Sequence, residues 1–160
     1  MSNDPTTSPL WPADSPAVVA HMSLLQGVVN RLAGNSASCK TWCMTLVAAL
    51  LSLAGAAHAP AIVGIALVPV AVFGYLDTMY LSQERAYRRH FENLAKKIRQ
   101  KEYTLDDLFD ADAPRNAGDF WHALGSWSIG PVYAGLALAY FVAHSLGYLA
   151  ILAIPASAAK

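Results

Sequence analysis

PAIVGIALVPVAVFGYLDTMYL, residues 60–81, runs directly into SQERAYRRHFENLAKKIRQKE, residues 82–102. The first string carries no charge before Asp77. The second is dense in charge and contains neither Pro nor Gly. About 20 uncharged residues are enough to cross the hydrocarbon core of a bilayer. The two strings together predict a membrane span that continues, without a break, as a basic helix in water. Such a helix can carry a change of state from the aqueous phase into the membrane, so the chain reads as a membrane protein with a cytosolic extension.

The rest of the sequence supports a membrane class. The chain has 160 residues, 55% hydrophobic and 14% charged, with no net charge. The charged fraction is well below the roughly 25% of soluble domains, and the deficit is concentrated in three apolar blocks. Zero net charge gives no general reason to expect a nucleic-acid partner. The two cysteines, Cys39 and Cys43, share one helix face, a spacing that fits neither a zinc site nor a disulfide scaffold. They read as small apolar residues at the mouth of the first span.

The chain divides as follows. Residues 1–15 are Pro- and Ser-rich, without the basic and apolar regions of a signal peptide, and read as a flexible tail. Ser15 and Pro16 start an amphipathic helix over 16–34, which Gly34-Asn35 ends. Its apolar residues Val18, Met22, Leu25, Val29 and Leu32 form a heptad seam that Leu24 and Val28 broaden, and His21, Gln26, Asn30 and Arg31 take other faces. A two-span hairpin follows over 41–81, turning at His58-Ala59-Pro60, with Pro69 placed to kink the second span. The cytosolic region 82–128 extends the seam through Tyr80, Tyr87, Phe91, Leu94 and Ile98. Thr104 and Asp107 there resemble a capping box for a short acidic helix, LDDLFDA, whose acids read as a solvated face. A connector with a short helix and interfacial tryptophans leads to a third span over 129–154. Trp121, Trp127 and Tyr133 stand at its start, where aromatic belts occur. The fold class is thus an all-α membrane protein of three spans, with an N-terminal amphipathic helix and a cytosolic extension of span two.

Lys and Arg set the orientation. The 82–128 loop holds Arg85, Arg88, Arg89, Lys96, Lys97, Arg99, Lys101 and Arg115, against none in the 58–60 turn and only Lys160 at the C-terminal end. The positive-inside rule then puts the N-terminus in the cytosol and the C-terminus outside.

Three groups of residues are candidates for function. Arg85, Arg88, Arg89, Lys96, Lys97 and Arg99 form a basic face that suits phosphate, with His90, Tyr87 and Tyr103 able to stack on bases. Equally, they suit topology or anionic lipid. Asp77 is costly in lipid, so it faces a partner or water. Arg31 or Arg85 is the expected salt-bridge partner, with the mouth of a cation pathway as the alternative. Together with Pro69 it is the candidate pore or gate position. The two cytosolic seams either cap the spans as a bundle or join copies of the chain, with a tetramer as the first expectation. No catalytic motif, metal-ligand spacing or cofactor loop is present, so no enzyme, metal or cofactor is expected.

The strings NRLAGNSASCKTW (30–42) and YLDTMYLSQERAYRR (75–89), with SWSIGPVY (126–133), resemble few-span membrane effectors of bacterial anti-phage defence. These include SLATT-like proteins and the channel subunits of the Hailong system. The resemblance covers roughly residues 20–140. It implies a homo-oligomeric inner-membrane channel or pore that kills or arrests the infected cell, an abortive infection. Its ligand would be a nucleotide or single-stranded DNA oligomer made by a partner nucleotidyltransferase and bound on the 85–99 basic face. A non-conducting adaptor that anchors a soluble partner through the cytosolic helices is the alternative.

Overall fold

The computed structural model describes residues 14–57, 60–114 and 116–152. The expected tail over 1–13, the turn residues His58 and Ala59, Arg115, and the C-terminal end after Leu152 lie outside the described residues. The elements are α1 (Pro16–Ala56), α2 (Pro60–Ile65), α3 (Leu67–Gln100), α4 (Ala117–Leu124) and α5 (Gly130–Leu152). Among the described residues there is no strand.

The amphipathic helix and the first span are one helix of 41 residues, about 60 Å long. Gly34-Asn35 does not stop it. Gly34 keeps a negative φ, so the left-handed turn that ends helices never forms. The reason lies in the buried seam. It passes Val18, His21, Leu25, Val29, Leu32, Ser36, Cys39, Cys43 and Val47 at steps of three and four, with no change of phase at residue 34. Continuous burial on one side outweighs the roughly 1 kcal/mol that a mid-helix Gly costs. His21 belongs to this seam and not to another face: it is buried, and Met22 is the half-buried neighbour.

α3 lies antiparallel to α1 along most of its length. Leu25 meets Leu94 at one end and Asp77 meets Ser36 in the middle, and beyond the start of α3 Ala54 meets Val63 of α2. The two seams expected to be cytosolic therefore bury each other within one chain, around Val18, Leu25, Leu94 and Tyr103, and Tyr87, Phe91 and Ile98 pack on that core. They form the capping bundle, and joining a second copy through them would require this core to open.

The second apolar stretch is broken at Ala66, between α2 and α3. Pro69 explains the position. It has no N–H for the carbonyl of Ile65, and its ring crowds that same carbonyl. Ala66 N–H instead bonds Val63 O at 3.0 Å, a tighter turn. At the other end, Lys101 (φ 60°) closes α3, with Glu102 N–H returning to Lys97 O at 2.9 Å.

Two stretches, Pro16–Ala56 and Ile62–Gln100, are long and apolar enough to cross a membrane. α5 packs beside them through Tyr140, which joins Ala54 and Val63. α4 packs on α3 where Ala123 and Ile129 meet Leu81. The expected acidic helix over 105–111 is a set of turns, ended by Phe109 at φ 69°. Its capping contact is nonetheless made, since the Asp107 carboxylate accepts Thr104 N–H at 2.9 Å and Thr104 Oγ1 at 3.1 Å.

Candidate functional site

The strongest polar feature sits where the apolar halves of α1 and α3 begin. Asp77 is fully buried. Its carboxylate accepts Ser36 Oγ, and Lys40 Nζ stands 2.9 Å from Oδ1 and 2.7 Å from Oδ2. Lys40 also donates to Ser36 Oγ at 3.0 Å. Asp77 therefore pairs with Lys40, not with Arg31 or Arg85. Ser36 and Lys40 are one turn apart on α1, which lets both reach one carboxylate on the facing helix. The pair is neutral as a whole, the form in which a charge survives burial. Asp77 points between α1 and α3 and not onto an exposed face, so within one chain it lines no path.

Neighbouring contacts tie the same region together. Cys43 Sγ donates to Pro69 O at 3.6 Å, so the second pore candidate faces α1 as well. Tyr133 of α5 lays its ring on Gly74, where an added Cβ would stand 3.3 Å from Cδ1, and its hydroxyl donates to Phe73 O at 3.1 Å. Both cysteines are free and buried in the α1 seam.

The basic face is largely engaged within the chain. Arg85 Nη1 donates to His122 O at 3.1 Å. Arg88 pairs with Glu84, and Arg89 with Asp119, each at 2.7 Å. Lys97 pairs with Asp107 at 2.5 Å. Lys96 and Arg99 are exposed and have no ion pair among the described residues. Asp107 is buried and not part of a solvated acidic face. Burial raises its pKa, but the hydrogen bonds and charge of Lys97, with those of Thr104, outweigh that and hold it below the usual carboxylate range. Asp119 is lowered as well, first by the Asn116 N–H and then, against desolvation, by Arg89.

Of the residues expected to stack on bases, Tyr103 and His90 are engaged within the chain, and Tyr87 is half-buried against the core. Tyr103 is core, and burial, reinforced by Asp107 and Asp110, raises its phenol pKa. His90 Nε2 and His21 Nε2 both bond the carbonyl of Asp110, at 2.9 and 3.1 Å. A carbonyl only accepts, so both imidazoles carry hydrogen at Nε2. His21 Nδ1 meets Tyr103 Oη at 2.8 Å. Two histidines from α1 and α3 thus hold the 103–110 segment against the helix pair. Among the described residues, one open groove of about 300 Å³ lies beside the basic face, lined by Gln26, Val29 and Asn30 of α1 and by Arg88, Phe91 and Glu92 of α3, and a second of about 390 Å³ is lined by His90, Lys96, Lys97 and Gln100 of α3 with Asp107 and Asp110.

Lys40, Ser36, His21 and Tyr103 carry contacts that the sequence reading did not assign. The signal for the first two is present in the chain: residues 32, 36, 39 and 43 continue the seam, which puts Ser36 and Lys40 on or beside the face that meets α3.

Comparison with known protein families, with curated proteins and with solved structures finds no match to this chain.

Proposed function

We propose that this chain is a homo-oligomeric ion channel or pore of a bacterial inner membrane, an antiviral effector whose conduction is set by its cytosolic helix pair. One observation carries this reading. α1 passes unbroken from the buried cytosolic core to the apolar half, α3 does so as far as Ala66, and Lys40–Asp77 couples them at the transition. In this reading α5 is the third span, the N-terminus is cytosolic and the C-terminus is outside. Conduction passes between copies, along faces that are apolar and exposed in the single chain, such as Leu46, Leu53, Val68 and Val72. The ligand is anionic and nucleotide-derived. Of the six basic residues, Arg88, Lys96 and Arg99 are best placed to meet it, since Arg85, Arg89 and Lys97 are held by α4 and by Asp107.

Purified protein in liposomes tests this directly. Ion flux that responds to nucleotides or short single-stranded DNA is expected, and Arg88→Glu with Arg99→Glu should abolish the response. A strictly monomeric protein in liposomes that stay tight under every such ligand would overturn it.

A second reading, a non-conducting adaptor, rests on Leu105 and Phe109, which are exposed and apolar at the cytosolic end. A stoichiometric soluble partner, lost on Phe109→Ala and captured without any conductance, would favour it.

A further inference from the structure

Two elements change character at one level, and a third is uncharged throughout. α1 has no charged residue after Lys40, the α2–α3 stretch has none before Asp77, and α5 has none at all. Lys40 and Asp77 touch, so the first two changes coincide in space. Beyond them, on one side, large apolar side chains face outward: Met44 and Leu53 of α1, Val68 and Val72 of α3, Leu138 and Phe141 of α5. On the other side lie the ion pairs of Glu84, Arg88, Arg89 and Lys97.

The exposed tryptophans collect at this level. Trp42, 61% exposed, is two residues past Lys40, about 3 Å along the helix axis. Trp121 and Trp127, 69% and 90% exposed, flank the end of α4. α4 is fixed at the same height. Phe120 packs on Tyr75 at 5.9 Å and on Trp121 at 5.5 Å, and Ala123 and Ile129 pack on Leu81. Tryptophan is large and apolar with one N–H, and it is rarely left bare in water. Its favoured place is the headgroup zone, where the ring meets lipid and the N–H meets water. The opposite edge of α4 is polar and is bound to the first charged turns of α3, through Arg89–Asp119 and Arg85–His122 O.

From this geometry we infer that the latter part of α4 and the turn after it, residues 120–127, form an anchor lying in the plane of the headgroup zone. The occupant of its exposed aromatic face is phospholipid. This rests on the membrane reading of the chain but not on conduction. The anchor gives Arg85 and Arg89 a second role: they join the cytosolic part of α3 to the bilayer surface, at the depth where headgroup phosphates lie.

Single-tryptophan variants of the full chain test the inference, with the other tryptophans changed to Phe. The protein is reconstituted in phosphatidylcholine–phosphatidylglycerol vesicles that contain lipid brominated either near the headgroup or near the chain end. Trp121 and Trp127 are expected to lose most of their emission to the shallow bromines, less to the deep ones, and little to aqueous acrylamide. Strong acrylamide quenching, quenching by neither lipid, or stronger quenching by the deep bromines overturns the anchor. Trp42 is the internal reference. If Trp42 meets lipid and the other two do not, the anchor alone fails. If Trp42 also meets none, the membrane reading fails with it.

Discussion

Lys40 Nζ stands 2.7 Å from the Oδ2 of Asp77 and joins α1 to α3 where charged surface gives way to apolar surface. Removing one member of a buried pair leaves the other charge uncompensated, at about 3–5 kcal/mol, whereas an apolar replacement of both is often neutral. Asp77→Ala is therefore expected to destabilise strongly, and Asp77→Leu with Lys40→Met to recover most of the loss. Thermal unfolding in detergent micelles measures both. A double variant worse than either single change would refute the pairing.

Leu25 and Leu24 are adjacent in the chain and opposite in environment, the first fully buried against Leu94 and Tyr103, the second half exposed. Leu25→Ala should cost about 2–5 kcal/mol. Leu24→Ala should stay within about 0.5 kcal/mol. Denaturant unfolding followed by circular dichroism separates them, and equal effects would mean that the seams of α1 and α3 do not pack on each other.

Gly34 lies in mid-helix with open space where a Cβ would stand. Gly34→Ala should raise stability by about 0.5–1 kcal/mol, because Gly weakens a helix interior by that much. Were residue 34 a left-handed helix stop, the same change would introduce strain and lower the melting temperature. The sign of the shift thus reports whether α1 is one helix or two.

Asp107 gives the charged end of the helix pair an acid limit. Its folded pKa is lowered, so its contribution is complete above the unfolded value, about 3.9. It is lost as pH falls through the lower folded value. Asp107→Asn should remove that part of the acid dependence and leave the part that Asp119 carries. Parallel titrations of the two proteins, compared from neutral pH downward, would show it. Identical acid limbs would contradict the Lys97–Asp107 pair.

The sequence made the helical class and the two long apolar stretches legible, because hydropathy over 60–81 and the charge beginning at Asp77 act through the chain locally. α4 and the start of α5 were legible for the same reason. Gly34-Asn35 misled, since a local stop signal was weighed without the continuous seam that overrides it. The partner of Asp77 was missed because it depends on the antiparallel alignment of α1 and α3. That alignment brings residue 40 beside residue 77 and leaves Arg31 and Arg85 more than a turn away along their helices. The basic face looked uniform because its partners Asp107, Asp119 and the His122 carbonyl come from 10 to 37 residues away.

Ser36, buried and bonded to Asp77, is the central residue of α1, with twenty helical residues before it (16–35) and twenty after (37–56). The long helix is pinned to its neighbour at its own midpoint, with about 30 Å of rod on each side. The rod is clasped at both ends as well, by the core around Val18 and Leu25 and by Ala54 against Val63 and Tyr140. Its one charged clasp stands midway between two apolar ones, and the register of the whole helix pair is read from the middle outward.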